Sequence, residues 1–399
     1  MALLYNFSIR AYALLLWLIQ GFHPKAKAWI QGREHYWEKL PTIPENTSIY
    51  WFHCASLGEF DQGIPVMNLV KERNPTCKIL VTFFSPSGME HYHKRKHMAD
   101  FVYYLPIDTK RNAKKLLNHF NPKAVYFIKY EFWLNYIFEI KKRKISLYSI
   151  SCILRPSQLF FRWYGSYFRK GLKAFDYFYV QNVETKNLLR QIGITKVIIT
   201  GDTRFDRVLE NKKSVTEDQV IANFLQGEKA LILGSSWPVE EQLFQRYFIQ
   251  GSEKIIIAPH DISENHLQSI EKRFQNSIIR YSNYTNEQDK SILLIDCIGK
   301  LANAYSYGKI AFIGGGFTGK LHNTLEPVVF GLPIIFGPYH SNFPEAQQFI
   351  DAGIGFSIKT CAEFSDAMQH IESNLQELQA KCIHEIENSK GAAAKIMER

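Results

Sequence analysis

From residue 48 onward, apolar runs of strand length alternate with longer stretches of helical period. The first run, 48-SIYWF-52, is followed by apolar Phe60, Ile64, Val66, Met67, Leu69 and Val70, which predict a buried strand and then a core-facing helix. Further strands are expected over 78–84, 101–106, 124–128, 145–151, 177–181 and 196–200, separated by amphipathic stretches such as 109–120. A polar, charged stretch over 201–218 interrupts the pattern. It resumes with strands at 230–236, 254–260, 291–296, 309–316 and 333–338. Strands that alternate with helices imply parallel sheets covered on both faces. A chain of 399 residues exceeds one ordinary core and suggests two domains of roughly 150–200 residues each. The fold class is therefore α/β: two doubly wound, Rossmann-like domains joined near residues 203–215. Ligands are expected in a cleft where the C-terminal strand ends of both sheets face each other.

Residues 1–22 stand outside this alternation. They are largely apolar, densest at 11-AYALLLWLI-19, with Asn6, Arg10 and Gln20 interrupting or ending the run. A signal peptide would carry its positive charge first and a small-residue cleavage site after, and neither is clear here. The uninterrupted apolar run is shorter than the ~20 residues that span a bilayer. Lys25, Lys27 and Arg33, with Trp17 and Trp29, suit a helix that dips into or lies on a membrane. The alternative is a helix buried in the protein. The expected organisation is a membrane-associating segment over 1–40, a first α/β domain over 41–205 and a second over 206–399.

Composition narrows the function classes. An apolar content of 46% rules out a disordered chain. A net charge of +10 and a pI near 9.1 suit nucleic acid, an anionic lipid surface or a phosphorylated substrate. The six cysteines show no C-x-x-C spacing, so neither a disulfide framework nor a zinc site is indicated. In 91-HYHKRKH-97 the histidines lack an acid or cysteine to complete a metal site. The segment 155-RPSQLFFRWYGSYFRK-170 interleaves cations with aromatics, which fits RNA stacking, core burial or a membrane- or acceptor-facing surface. Taken with the N-terminal segment, the last reading is preferred.

Two stretches carry candidate chemistry. In 53-HCASLGEFDQG-63 an acid, Glu59, lies at a strand-to-helix turn, where a capping role is the simple explanation. In 310-IAFIGGGFTGKLHNTLEP-327 a strand runs into three glycines, then a loop, then a helix start. Glycines let backbone approach a ligand, and exposed amides beside a helix N-terminus suit a phosphate. Asn323 and Glu326 share a helix face, with Glu326 an acceptor for ribose hydroxyls or a partner for the helix dipole. This is no dinucleotide or P-loop fingerprint, since neither G-x-G-x-x-G nor G-K-S/T follows an early strand. A nucleotide held late in the chain points to a two-domain sugar-nucleotide transferase.

The motifs, in order, resemble those of the Kdo transferases, which move 3-deoxy-D-manno-octulosonic acid (Kdo) from CMP-Kdo to the lipid A precursor. H-C-A-S-L-G-E is similar to the family's H-A-A-S-V-G-E, and 130-YEFW-133 to E-L-W-P. The series continues through 201-GDTRFD-206 and 234-GSSWPVEE-241. It closes with G-G-G-F…H-N-T-L-E-P and F-G-P-Y-H-S-N-F, so nearly the whole chain is covered. The resemblance implies a GT-B fold and an inverting, metal-independent, cofactor-free transfer at the cytoplasmic side of the inner membrane. It makes Glu59 the general base, with Ser56 and Gly58 in the same motif. Glu131 would orient the acceptor or support the base, and a helix-start acid is the competing reading. Arg155 falls near the family's N-A-R segment, as an acceptor contact. On the donor side stand Gly315 and Gly316 for the CMP phosphate, with Asn323, Glu326, Ser235 and Ser236. The two serines are alternatively caps for a helix beginning at Pro238.

Two departures matter. Lys129 stands where the family often has an acid. The family's A-P-R-H-P pattern reads 258-APHDIS-263 here, leaving His260 in place of an arginine and Arg204 or Lys320 as compensating cations. Expected partners are CMP-Kdo, the lipid A precursor and a membrane surface, without nucleic acid. The alternatives are a GT-B enzyme using a UDP-sugar, and a lipid- or nucleic-acid-binding protein that keeps the fold without catalysis.

Overall fold

The computed structural model describes residues 1–248, 253–285 and 289–398. The chain divides into two compact units, the first holding residues up to Arg207 together with the segment from Lys390 onward, the second Val208–Ser389. The first unit contains β1 (Ile49–Cys54), β2 (Lys78–Phe83), β3 (Phe101–Tyr104), β4 (Ala124–Ile128), β5 (Ser146–Cys152), β6 (Tyr177–Val180) and β7 (Val197–Ile199). They form one parallel sheet in the order β3-β2-β1-β4-β5-β6-β7. All six residues of β1 are buried, as the centre of a sheet covered on both faces requires. Ile49 and Trp51 pack with Leu80, Val125 and Phe127 on one face. Tyr50, Phe52 and Cys54 pack with Val81, Phe83, Tyr126 and Ile128 on the other. The period of two thus divides one apolar run between two cores.

The second unit contains β8 (Ala230–Ser236), β9 (Ile255–Pro259), β10 (Ile278–Arg280), β11 (Ile292–Leu294), β12 (Gly308–Ile313), β13 (Ile334–Phe336) and β14 (Gly355–Ser357). Their order is β10-β11-β9-β8-β12-β13-β14, again all parallel. All twelve strands expected from the pattern are present, and β10 and β14 are additional.

Two expectations change. The polar stretch taken for a connection holds a helix, Arg204–Lys213, whose Phe205 and Val208 are buried. The end of the chain, expected within the second domain, returns to the first unit. The Asp206 carboxylate accepts the backbone N–H of Gly391 at 2.6 Å and of Ala393 at 2.8 Å, capping the helix Ala392–Met397. Ala393 and Ile396 then enter the core around β1.

The N-terminal helix Ala2–Ile19 has no buried residue, which removes the alternative of a core helix. Its anchors are polar and aromatic. The Tyr5 hydroxyl donates to Asp108 and accepts the Leu134 N–H at 3.1 Å, Asn135 Nδ2 donates to Asn6 at 3.0 Å, and Tyr12 stacks on Phe84. Leu3, Leu4, Phe7, Leu14, Leu15, Trp17 and Leu18 are left more than half exposed. By length and composition this helix is long and apolar enough to cross a membrane.

Candidate functional site

In the first unit the predicted residues gather at the carboxyl ends of three neighbouring strands, β1, β4 and β5. This is where open parallel sheets present ligand groups. After β1 the chain turns through Ala55 and Ser56 into the helix Leu57–Arg73, with Ser56 extended at its N-cap and making no side-chain cap. Glu59, in the first turn and 6% exposed, reaches back to accept the Ala55 N–H. The capping role is therefore real, but it does not exhaust the carboxylate. Burial, with Glu131 as a like-charged neighbour, pushes the Glu59 carboxyl up to about 7. The Ala55 and Ser56 amides and the Lys129 charge hold it from rising further. Lys129, the departure from the family pattern, is thus a cation acting on the candidate base.

Gly58 has an ordinary backbone conformation, and a Cβ there would meet nothing within 4 Å. The tight turn does not demand glycine. Its contribution is open space beside Glu59.

Glu131 follows β4, where Lys129 adopts a left-handed conformation, φ 59°, that swings the chain off the sheet. Burial raises the Glu131 carboxyl as well. Its loop is fastened through a neighbour that sequence reasoning did not assign. The Trp133 indole N–H donates to His53 Nε2 at 2.9 Å, and His53 Nδ1 lies 2.9 Å from Thr82 Oγ1 and 3.1 Å from Thr82 O. With Nε2 accepting, the proton sits on Nδ1. Complete burial lowers the His53 pKa to about 3, so the ring stays neutral and acts as a fixed strut. It was visible only as the first letter of the motif. Trp133 also packs on Phe84, 4.5 Å between ring centroids.

Arg155, after β5, is exposed. Its charge, like those of Glu59 and Glu131, acts on the Tyr130 hydroxyl, which burial raises. Tyr130, unassigned from the sequence, thus feels the charge of all three predicted residues. Behind them Ser151 Oγ and Thr203 Oγ1 lie 2.6 Å apart, and Thr203 donates to the Gln62 carbonyl at 2.7 Å. Gln62 Nε2 donates to Asp202 at 3.1 Å, and Asp202 holds Arg204 at 2.7 Å. The GDTRFD motif thus ties the helix bearing Glu59 to the sheet, and Arg204 serves there as an ion-pair partner.

In the second unit the predicted donor residues lie at the carboxyl ends of β9, β8 and β12, three strands in a row. Several of these groups already have partners within the protein. The Gly315 N–H is donated to Glu240 Oε1 at 2.9 Å, so that amide is already taken. The buried Ser236 hydroxyl donates to Glu241 at 2.9 Å, which also lies 3.0 Å from His266 Nε2. Glu240 further accepts the Trp237 N–H at 3.1 Å, in the first turn of the helix Pro238–Phe248. The glycines meet a packing need: a Cβ on Gly314, Gly315 or Gly316 would collide with the backbone of Ser235, Lys320 or Gly337 respectively. Asn323 Oδ1 accepts the Leu325 N–H at 3.1 Å, and its Nδ2 donates to Glu326 at 3.0 Å, so the pair is mutually oriented.

The ring cluster beside this loop was not foreseen. Trp237 stacks on His260 at 4.7 Å, His260 lies 4.5 Å from His322, and Lys320 Nζ stands 5.6 Å over Trp237. Burial and His260 lower the His322 pKa to about 4. Trp237 Nε1, His322 Nε2 and Thr324 Oγ1 are buried without a hydrogen-bond partner. Buried polar atoms are ordinarily satisfied, so a polar ligand reaching these residues would complete their bonding. Ser235, at φ 52° with its carbonyl under Gly314, belongs to the same wall. Among the described residues, no group of three or more His, Cys, Asp or Glu forms a metal cage.

Residues 30–207 match the family model described as 3-deoxy-D-manno-octulosonic-acid transferase (kdotransferase). The chain is 27% identical over 339 residues to the 3-deoxy-D-manno-octulosonic acid transferase of Aquifex aeolicus, covering 83% of this chain and 88% of that protein. It is 25% identical over 330 residues to the enzyme of the same name from Chlamydophila psittaci, covering 79% and 76%. In fold it is similar to UDP-GlcNAc 2-epimerase from Neisseria meningitidis bound to UDP-GlcNAc. That match has a TM-score of 0.61 at 17% identity and covers 88% of this chain and 98% of the other. The architecture is of GT-B type.

Proposed function

We propose that this chain, a relative of the Kdo transferases with their domain over residues 30–207, moves Kdo from CMP-Kdo to a lipid A precursor in lipopolysaccharide synthesis. The observation that carries this reading is Glu59: a buried carboxylate at the end of β1, with a pKa near 7 and open space beside it. A sugar hydroxyl is a poor nucleophile, and a base whose pKa lies near the working pH best takes its proton. As the acceptor O–H proton passes to Glu59, the oxygen bonds to the anomeric carbon of Kdo. The bond from that carbon to the phosphate oxygen breaks, and CMP leaves with the electron pair. Attack opposite the leaving group inverts the anomeric centre.

Glu131 and Arg155 orient the acceptor, and Tyr130 stands among their charges. In the second unit Glu326, held by Asn323, takes the ribose hydroxyls. Ser235, Gly316 and Lys320 face the phosphate. The Trp237–His260 stack offers a flat surface to the base, with His260 standing where the family arginine would be. Gly315 and Ser236 act indirectly, by fixing the loop through Glu240 and Glu241. The exposed apolar N-terminal helix holds the enzyme at the cytoplasmic face of the inner membrane, where its lipid acceptor resides.

The test is donor choice. CMP release should follow addition of the lipid A precursor when CMP-Kdo is supplied, and no UDP-sugar should replace it. Turnover with a UDP-sugar but not with CMP-Kdo would overturn the assignment.

A further inference from the structure

Beside the Glu131 loop lies a cavity of about 320 Å³ that the reaction above leaves unused. Its walls are Tyr130, Phe132, Leu134, Phe160, Phe168 and Leu172. Leu134 and Leu172 are buried to within 1%, so the inner wall is apolar. The volume falls at the lower end of the roughly 300–1,000 Å³ typical of ligand pockets. Ser157, exposed, and Leu159, 47% exposed, also line it and mark the side open to solvent.

We infer that this cavity receives one acyl chain of the lipid acceptor. The inference rests on the Kdo-transfer reading and deepens it by assigning the acceptor's apolar part. Two lining residues, Tyr130 and Phe132, flank Glu131 in the chain, so an occupant lies against the loop that carries an acceptor-orienting acid. A cation borders the pocket: the Arg155 backbone N–H donates to Gln158, a lining residue, at 2.9 Å, and its charge acts on Tyr130. An apolar interior with a cation at its edge matches an amphiphile whose acyl chain enters while an anionic headgroup stays outside. The cavity wall is also continuous with the N-terminal helix. Tyr5 packs edge-on against Phe168 at 6.0 Å, and its hydroxyl accepts the Leu134 N–H. The exposed apolar helix therefore packs directly on two residues of the pocket wall, next to which a membrane-held lipid would be presented. The polar side chains of the lining are Tyr130, Ser157 and Gln158, and the other six lining residues are apolar, which favours an apolar chain over a nucleotide or free sugar.

The experiment uses the full chain and two variants, Leu172→Trp to fill the interior and Leu159→Asp to charge the rim. A lipid A precursor bearing a diazirine on its acyl chains is photolysed with each protein, and crosslinked peptides are mapped. Wild type should be labelled within 130–134 and 157–172, and both variants should lose that labelling at least tenfold. In turnover, kcat/KM for the acylated acceptor should exceed that for its de-acylated counterpart, and the variants should shrink that ratio at least tenfold. Each methylene kept from water is worth about fourfold in affinity, so excluding a few suffices. Leu159→Asp changes an exposed site and keeps the test valid should Leu172→Trp fail to fold. Labelling that misses these segments, or a ratio that both folded variants leave intact, overturns the proposal. Labelling here without any Kdo transfer would retain the lipid site and refute the reaction instead.

Discussion

Replacing Glu59 by glutamine should stabilise the protein while disabling it. In the folded chain the carboxyl is pushed up to about 7 from an ordinary value of 4.5. At 1.36 kcal/mol per unit, the ionised form is disfavoured by about 3 kcal/mol in the folded state. The sign follows from the direction of the shift. A raised pKa means that the folded state binds the proton more tightly, so stability is greatest below the unfolded value. It is lost as pH rises through the folded one. Glutamine keeps an oxygen to accept the Ala55 N–H and carries no charge to desolvate or to repel Glu131. Measured as the difference in unfolding free energy from urea titration, Glu59→Gln should equal wild type at pH 4.5. By pH 8.5 it should exceed wild type by up to ~3 kcal/mol. Such a trade of stability for function is common at active sites. A variant no more stable than wild type at pH 8.5 would show that the carboxylate is not strained, and the argument for a base tuned by burial would fall.

Trp133→Phe removes the donor to His53 Nε2 and leaves that buried nitrogen unpaired, so we expect a loss of about 1–3 kcal/mol in stability. It should also lower kcat, because the Glu131 loop loses its strut; an unchanged melting temperature and kcat would refute the link. Asp206→Ala uncaps the helix Ala392–Met397, costing about 1 kcal/mol, and hydrogen exchange at amides 391–397 should accelerate selectively. Gly316→Ala drives a Cβ into the Gly337 backbone, at a cost of about 1–3 kcal/mol if the loop repacks. Calorimetric titration should then show weakened CMP binding, and undiminished affinity would remove the glycine loop from the donor site.

The sequence pattern was informative where apolar runs were long. β1 and β8, with six and seven residues, were evident, and the three-residue strands β7, β11 and β13 are wholly apolar. By contrast, β10 ends in Arg280 and β14 sets Phe356 between Gly355 and Ser357, so neither makes an apolar run. The helix Arg204–Lys213 was hidden because its buried positions are sparse among charges. Glu59 and Glu131 could be read from motifs because their place after a strand is local. The struts behind them could not. His53 reaches Trp133 across 80 positions and Glu240 reaches Gly315 across 75, pairings that only the folded sheets create. For the same reason the sequence did not show that the Gly315 N–H and the Ser236 hydroxyl, offered as ligand contacts or, for the serine, as a helix cap, are engaged by Glu240 and Glu241.

The pH dependence of Kdo transfer tests the central claim most directly, with kcat/KM measured for wild type and Glu59→Gln using CMP-Kdo and the lipid A precursor. Wild type should lose activity as pH falls through about 7, as the base becomes protonated. The variant should be slower by roughly 10²–10⁴-fold and should lack that limb. A folded Glu59→Gln protein that transfers Kdo at the wild-type rate, with the same limb, would show that another group removes the proton.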